Sequence, residues 1–264
     1  MNFRTSCIGL VAVSVALAGC AQEEEPEAPV EVAESVPAEQ MLTGDHIMTD
    51  AGDLVIQPIA HATFAMGWNG NTILVDPVGG ADAFQELPTP DLILITDVHG
   101  DHLDAATLEA VAGGDTVIVA PQAVVDQLPE ALVPQARRLD NGSDVSLLGL
   151  TVEAIPMYNL TEDRLQFHDK GRGNGYVVTI GGKRIYISGD TEDIPEMRAL
   201  ENIDIAFVCF NLPYTMTEDQ AASAVREFAP GIVYPYHYMG SDSEAFASLV
   251  AESDGIEVRQ RAWY

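Results

Sequence analysis

The amino-acid sequence predicts an α+β fold in which two packed β-sheets are flanked by helices. Short apolar runs at 92–95 and 205–210 are typical of buried strands. The stretch 176–188 places Gly-Gly between two apolar runs and predicts a hairpin. Amphipathic segments such as 218–228 lie between the strands and predict helices. A chain rich in strands with interspersed helices favours two sheets with helices against them.

Turn and cap residues mark where the predicted elements begin and end. Asn69-Gly70 is a strong hairpin signal, Pro121 suits the start of a helix, and Gly113-Gly114 ends another. The predicted strands are 54–59, 63–66, 73–75, 92–95, 117–120, 145–147, 150–155, 176–180, 184–188, 203–210, 231–235 and 256–259. The predicted helices are 103–111, 122–128, 218–228 and 244–251.

Residues 1–20 have the pattern of an export signal. One early positive charge, Arg4, precedes an apolar run that is too short to span a bilayer. The ending Leu-Ala-Gly-Cys resembles the bacterial lipobox, which implies that Cys20 carries lipid and anchors the protein to a membrane. The alternative is an ordinary signal peptide with a cysteine by chance. Because Ala21 follows Cys20, the resemblance implies the outer membrane, periplasmic side, in a Gram-negative cell; the predicted location is the bacterial cell envelope.

Residues 21–45 are predicted to form a disordered tether. They consist mainly of Ala, Pro, Val and Glu, with eight acidic residues and no basic one. Such a segment cannot bury enough apolar surface to fold and is expected to be extended. Residues 46–264 remain, and their length suits one domain.

The net charge excludes one class of partner. The formal charge of the chain is −29, and an acidic surface repels nucleic-acid phosphates, so no nucleic-acid partner is expected. A strongly acidic surface poor in lysine is also typical of proteins that work in high salt, which is a hypothesis about habitat. The sequence does not predict an oligomeric state.

Cysteine usage argues against a disulfide. Cys7 lies in the predicted signal and Cys20 is the predicted lipid anchor, which leaves Cys209. A processed chain would therefore have no partner for an internal disulfide, although export would permit one. Cys209 lies in an apolar run and is predicted to be a buried core residue.

The stretch 96–102, Thr-Asp-Val-His-Gly-Asp-His, is the strongest chemical signal in the chain. It lies between a predicted buried strand and a predicted helix, and it brings together Asp97, His99, Asp101 and His102. Imidazole and carboxylate groups at this spacing are typical ligands of zinc, iron or manganese. The alternative is a polar loop with a helix-capping Asp and two solvated histidines.

Two further candidates follow strands in the second half of the chain. Asp190 lies in Ser-Gly-Asp-Thr directly after a predicted strand, and His237 follows the strand 231–235. Taken alone, Asp190 could be a turn residue and His237 a core histidine. Their shared position at strand ends predicts that they join the same site.

The order His-x-Asp-His, Gly-Asp-Thr and a strand ending in His resembles the metallo-β-lactamase superfamily. One branch, the metal-dependent hydrolases similar to L-ascorbate-6-phosphate lactonase, is resembled most closely. N-acyl-phosphatidylethanolamine phospholipases D are more distant. The resemblance covers nearly all of 53–264 and implies a four-layer αββα sandwich with a two-metal site at the sheet edge. True β-lactamase activity is not expected. The residues that resemble this branch are 59–64, 73–77, 175–176, 186–191 and 234–238.

The resemblance implies how the candidates divide between metal ions. The ligands of one ion would be Asp97, His99 and Asp190, and those of the other Asp101, His102, His237 and Asp190. The implied cofactor is one or two divalent ions, zinc foremost, with manganese or iron as alternatives. The implied reaction is attack of a metal-activated hydroxide on an ester, lactone or phosphodiester in a small-molecule substrate. Asp190 would act by bridging the metals, and Asp101 would also orient the water or receive its proton.

Two departures from the family pattern affect the first ion. Asp97 stands where the family has His, and its harder oxygen favours manganese or iron relative to zinc. The third histidine expected after the strand 150–155 is also missing; Asn159 lies there, and the nearest histidine is His168. The sequence leaves open whether His168 is a ligand or a surface-loop residue. A mononuclear enzyme is therefore an alternative.

A loop and one strand junction supply the candidate substrate contacts. His61 faces the pocket or is structural, and Asn159 lies at the edge of the expected site. Arg164, Lys170 and Arg172 cluster near His168 and are predicted to form a lid over an anionic substrate group, the alternative being a solvated loop. The rival to a hydrolase is a non-catalytic metal-binding or solute-binding envelope lipoprotein.

Overall fold

The structure, a computed structural model, describes Met1 and residues 37–251, 253 and 255–264. The predicted signal with Cys20, and the predicted tether up to residue 36, lie outside the described residues. The described residues from 37 onward belong to one compact unit. Among the helices in the described ranges, none is both long enough and apolar enough to cross a membrane.

Fourteen strands in the described residues form two seven-stranded sheets with the same plan. Each sheet has an antiparallel part and a parallel part, and the strands lie in chain order across it. The first sheet is antiparallel from β1 to β4 and parallel from β4 to β7; it contains β1 (Asp45–Thr49), β2 (Gly52–Ala60), β3 (Thr63–Trp68), β4 (Asn71–Val75), β5 (Leu92–Leu94), β6 (Val117–Ala120) and β7 (Ala136–Arg138). The second is antiparallel from β8 to β11 and parallel from β11 to β14; it contains β8 (Asp144–Leu147), β9 (Leu150–Met157), β10 (Gly173–Ile180), β11 (Lys183–Ile187), β12 (Ile205–Val208), β13 (Ile232–Pro235) and β14 (Glu257–Val258).

The longer helices begin at capping side chains. Asp104 accepts from two backbone N–H groups at the start of α2, Asp242 does the same for α6, and Thr217 forms a capping box with Gln220 at α5. The third helix ends earlier than the predicted residue 128, ahead of Pro129, which has no N–H to continue it. The helices are α1 (Ala38–Met41), α2 (Ala105–Val111), α3 (Gln122–Val125), α4 (Pro195–Arg198), α5 (Glu218–Phe228) and α6 (Ser243–Val250).

Alternation along the strands separates two apolar layers. Phe64 of β3 faces the second sheet, where its ring stacks on Phe207 with centroids 4.1 Å apart. Its neighbour Ala65 points the other way and joins Leu108 of α2 in a second cluster. Two sheets packed face to face, with helices on the outside, confirm the predicted four-layer αββα sandwich. Cys209 is free and fully buried in the core, as predicted.

The domain begins earlier than the predicted boundary at residue 46. The helix α1 and the first residue of β1, Asp45, lie in the segment that is predicted to end the tether. Leu42 is buried, and Asp45 accepts hydrogen bonds from the hydroxyl of Tyr234 (2.7 Å) and from Nη2 of Arg261 (2.8 Å). The sequence did not predict this folded segment, because 21–45 is acidic and because β1 is partly exposed and has no apolar run.

Candidate metal centre

Acidic and imidazole side chains gather at the carboxyl ends of the parallel strands of both sheets, where they form two adjoining clusters. Chains leaving parallel strands emerge at the same edge of a sheet, so residues distant in sequence meet there. The turn after β5 is tight, since the backbone N–H groups of His102 and Leu103 both donate to the carbonyl of His99. The contributing segments are the residue after β4 (Asp76), the loop after β5 (Asp97, His99, Asp101 and His102), the loop between β9 and β10 (His168), the turn after β11 (Asp190) and the turn after β13 (His237).

Four of these side chains, Asp101, His102, Asp190 and His237, form what we call the second cluster. Nε2 of His237 lies 3.2 Å from Oδ2 of Asp101 and 3.3 Å from Oδ1 of Asp190. Nε2 of His102 lies 3.3 Å from Oδ2 of Asp190. Ligand atoms about 2.0–2.2 Å from one zinc ion are separated by roughly 3–3.5 Å, so these spacings suit a shared ion.

Unsatisfied atoms in the second cluster indicate that it fits a metal ion. Nε2 of His102 and Oδ1 of Asp190 are buried and have no hydrogen-bond partner. Buried polar atoms rarely lack partners in folded proteins, and a divalent ion would satisfy both. Burial opposes ionisation of Asp190, yet the imidazoles of His237 and His102 hold its pKa well below the ordinary value. The cluster thus presents an anionic carboxylate toward the position of an ion.

The first cluster, Asp97, His99 and His168, is the remainder of the predicted two-metal site. Oδ2 of Asp97 lies 3.0 Å from Nδ1 of His99 and 3.9 Å from Nε2 of His168. Nε2 of His168 also lies 3.1 Å from Oδ2 of Asp190, so Asp190 stands between the two clusters. His168 is buried, and its imidazole lies close enough to Asp97 and His99 for the three to share an ion, so it is not a surface-loop residue.

Comparison with known proteins places this geometry in a family. The profile of the β-lactamase superfamily domain matches residues 55–237, which span most of both sheets and every side chain of the two clusters. The chain belongs to the metallo-β-lactamase superfamily. Its four-layer sandwich and its strand-end clusters of His and Asp are the features that this membership explains.

Relatives and a solved structure agree on the general activity. A metal-dependent hydrolase of Symbiobacterium thermophilum is 30% identical over 221 residues, which cover 78% of this chain and 91% of the relative. One from Pyrococcus abyssi is 28% identical over 215 residues, covering 76% and 93%. A crystal structure from Parabacteroides distasonis, described as a metal-dependent hydrolase, has 39% identity and a TM-score of 0.78, and covers 84% of this chain and 100% of that one. The chain is a metal-dependent hydrolase of this superfamily.

More distant structures share the fold alone. Igni18, a metallo hydrolase from Ignicoccus hospitalis, is 21% identical with a TM-score of 0.66, covering 79% of this chain and 94% of its own. At this level of identity the sandwich is shared but the substrate is not indicated.

His61 of this superfamily member lies against the second cluster. Its Nε2 is 3.1 Å from Oδ2 of Asp101, its Nδ1 is 2.8 Å from the hydroxyl of Tyr264, and its ring lies 3.8 Å from that of His237, measured between centroids. Its backbone also pairs with Trp263 and His237. His61 therefore faces the cavity and orients Asp101, which combines the two roles that the sequence left open.

Asn159 braces the loops beside the cluster instead of replacing a histidine. Its side-chain Nδ2 donates to the carbonyl oxygens of Arg164 (2.9 Å) and Tyr214 (2.7 Å). Its backbone N–H donates to the carbonyl oxygen of His168 (3.0 Å). The residue predicted to contact substrate thus holds the loop that carries His168.

The predicted cationic lid is not brought to the cavity. Nη1 of Arg164 lies 2.6 Å from Oε1 of the fully buried Glu192, and Nζ of Lys170 lies 2.9 Å from Oε1 of Glu196. Neither Arg164 nor Lys170 lines the cavity, contrary to the prediction, because each pairs with a carboxylate behind the loop. Arg172 is paired with Asp97 through two hydrogen bonds of 3.1 and 2.7 Å.

The cavity above the clusters has a volume of about 530 Å³ and an apolar rim. Tyr214 and Met239 are both about half exposed there, at 49% and 60%. Sequence reasoning missed the rim because its residues lie on turns without a motif. The lining residues are His61, His99, Asp101, Phe167, His168, Asp190, Asn211, Tyr214, His237 and Met239.

Proposed function

We propose that the protein hydrolyses an ester or lactone bond in a small molecule that carries an apolar group beside the reacting carbonyl. The observation that carries this proposal is the position of the second cluster at the floor of a cavity with an apolar rim. Among the described residues that line the cavity there is no lysine or arginine. A phosphodiester would bring a negative charge to a cavity whose lining offers it no lysine or arginine, so it is the weaker candidate.

The donor set supports zinc as the ion, with manganese or iron as alternatives. The second cluster offers two imidazole nitrogens and two carboxylates, which is a ligand set for zinc. A divalent ion held by these residues would activate water at neutral pH and stabilise charge that develops on the substrate oxygen. Were a second ion to bind at the first cluster, Asp97 would give it an oxygen donor, which favours manganese or iron relative to zinc.

Asp101 is the carboxylate best placed to orient the attacking water. Its side chain is 44% exposed and lines the cavity, whereas Asp190 is only 4% exposed. Burial opposes ionisation of Asp101, but the imidazoles of His237 and His61 hold its pKa well below the ordinary value. An anionic oxygen fixed by these two rings accepts a hydrogen bond from water in a defined direction.

Hydrolysis assays with matched variants test this proposal. The purified protein is assayed on an aryl acetate, a δ-lactone and bis(4-nitrophenyl) phosphate, before and after chelation and with zinc added back. We expect ester or lactone turnover that is lost with chelator and in Asp101→Asn but retained in His46→Gln, since His46 is exposed and pairs only with Asp53. A metal-loaded protein that retains these compounds without turning them over would instead support a binding lipoprotein.

We also propose that lipid on Cys20 anchors the enzyme in the bacterial envelope. Support for this comes from the sequence Leu-Ala-Gly-Cys at 17–20 after a short apolar run. Mass spectrometry of the protein recovered from cell membranes should find a diacylated N-terminal cysteine at position 20. Recovery of an unmodified N-terminus, or of Cys20→Ala in the same membrane fraction, would contradict the anchor.

A further inference from the structure

The guanidinium of Arg172 occupies the first cluster in the manner of a bound cation. Its Nε and Nη2 donate to the two oxygens of Asp97 at 3.1 and 2.7 Å, a bidentate pair. Nη2 also lies 3.4 Å from Nε2 of His99 and donates to the carbonyl of Phe167 at 2.7 Å. Arg172 therefore contacts two of the three residues that would hold the first metal ion.

Charge balance separates the two clusters. In the second cluster, the carboxylates of Asp101 and Asp190 would offset the two charges of a divalent ion. In the first cluster, the single charge of Asp97, which is fully buried, is already offset by Arg172. A divalent ion added there would bring two positive charges beside the guanidinium, with no further carboxylate in the first cluster to offset them, which is costly next to the buried Asp97.

The hydrogen bonding of the buried carboxylates also differs between the two clusters. Nε2 of His102 and Oδ1 of Asp190, both in the second cluster, are buried without partners. Both oxygens of Asp97 have hydrogen-bond donors. Nδ1 of His168, in the first cluster, is also buried without a partner, so the contrast lies in the carboxylates. Asp190 has an oxygen that an ion would satisfy, whereas both oxygens of Asp97 are already satisfied by Arg172.

The backbone holds Arg172 in this position. Two residues later, the N–H of Asn174 donates to the carbonyl of Thr96, directly beside Asp97 (2.9 Å). Between them, a Cβ added at Gly173 would lie 2.9 Å from the same carbonyl and 2.2 Å from Cε of Met157. The chain that carries Arg172 is packed tightly against the loop that carries Asp97, which places the guanidinium within reach of that carboxylate.

We propose that Arg172 replaces the first metal ion, so that the protein holds one divalent ion in the second cluster. The proposal rests on the assignment of a metal-dependent hydrolase and specifies its metal content. The guanidinium supplies one positive charge to Asp97, in the cluster where a two-metal site would place a second ion.

Metal stoichiometry tests the proposal without relying on activity. Purified protein is loaded with excess zinc, desalted and analysed by elemental mass spectrometry. We expect about one ion per chain in the wild type and about two in Arg172→Met, because Asp97, His99 and His168 are then freed to bind. Lys170→Met, which removes a cation from the same loop, should retain about one, and His102→Ala should fall below one.

A spectroscopic count covers the case in which Arg172→Met does not fold. The wild type loaded with ¹¹³Cd should give one resonance in its NMR spectrum. Two wild-type ions or two resonances would overturn the proposal, as would a folded Arg172→Met that still binds one. A protein with one ion that hydrolyses no ester or lactone would contradict the proposed function and leave the proposal for Arg172 intact.

Discussion

Nδ1 of His102 lies 2.8 Å from Oδ2 of Asp76, and both side chains are fully buried. Asp76 is itself held by Thr96, whose backbone N–H and hydroxyl donate to its two oxygens at 2.7 and 2.6 Å. A carboxylate bonded to one ring nitrogen of a histidine fixes the ring so that the other nitrogen faces the metal. Asp76 therefore orients Nε2 of His102 toward Asp190, the direction in which a divalent ion would be held.

Asp76→Asn should weaken zinc binding by about 10- to 100-fold, the usual effect of removing such a partner. Competition with a fluorescent chelator measures the dissociation constant. Asp91→Asn is the matched control, since the carboxylate of Asp91 also accepts a backbone hydrogen bond, from Thr72 (2.8 Å), but lies outside both clusters. Equal zinc affinity in the wild type and Asp76→Asn would show that Asp76 has only a structural role.

Zinc binding should release protons and strengthen as pH rises. In the metal-free protein burial lowers the pKa of His102, but the carboxylates of Asp190 and Asp76 outweigh this and raise it well above the ordinary value. His102 is then protonated at neutral pH and must lose its proton to bind metal. Below that pKa the apparent affinity should rise about tenfold per pH unit, and above it this dependence should disappear.

Calorimetry checks the proton release directly. Zinc is titrated at pH 7 in two buffers with different ionisation enthalpies. The difference between the two binding heats should correspond to the release of about one proton per ion bound. Heats that are the same in both buffers would mean that His102 is already neutral in the metal-free protein.

The sequence predicted well which strand-end residues lie close together, for a physical reason. Asp97, Asp101, His102, Asp190 and His237 all follow predicted strands, and a packed parallel sheet brings such positions to one edge. The apolar runs determine the strands, and the strands determine where these residues meet. The same reasoning could have included Asp76, because it follows β4, and β4 is the neighbour of β5 in the sheet.

The residues on the loop between β9 and β10 could not be placed in this way. His168 was an open choice, and Arg164 and Lys170 were predicted to be a lid, because a loop of this length has no periodicity that fixes its direction. Its course depends on partners distant in sequence, such as Glu192 for Arg164 and Asp97 for Arg172. These pairs become visible only in the folded chain.

The pair of Arg164 and Glu192 should contribute to stability rather than to substrate binding. Glu192 is fully buried and also accepts backbone hydrogen bonds from Leu160 and Thr161, both 2.7 Å. Arg164→Met would leave this carboxylate without its charged partner, at an expected cost of about 3–5 kcal/mol in the free energy of unfolding. Urea denaturation followed by circular dichroism measures the loss.

Lys170→Met is the control for that variant. Lys170 is exposed and its pair with Glu196 lies at the surface, so little change in stability is expected. If Arg164→Met were as stable as Lys170→Met and raised KM for an anionic substrate, Arg164 would contact substrate, as the sequence predicted for the lid.

The apolar rim should select substrates by the group beside the reacting carbonyl. Tyr214→Ala should raise KM for 4-nitrophenyl butyrate about fivefold to tenfold relative to the acetate, with kcat nearly unchanged, because the lost contact is made equally in the ground and transition states. Leu148→Ala provides a matched control, since Leu148 is an exposed apolar residue in the turn between β8 and β9, outside the cavity lining. Parallel losses for acetate and butyrate in Tyr214→Ala would show that the rim shapes the site without contacting the acyl group.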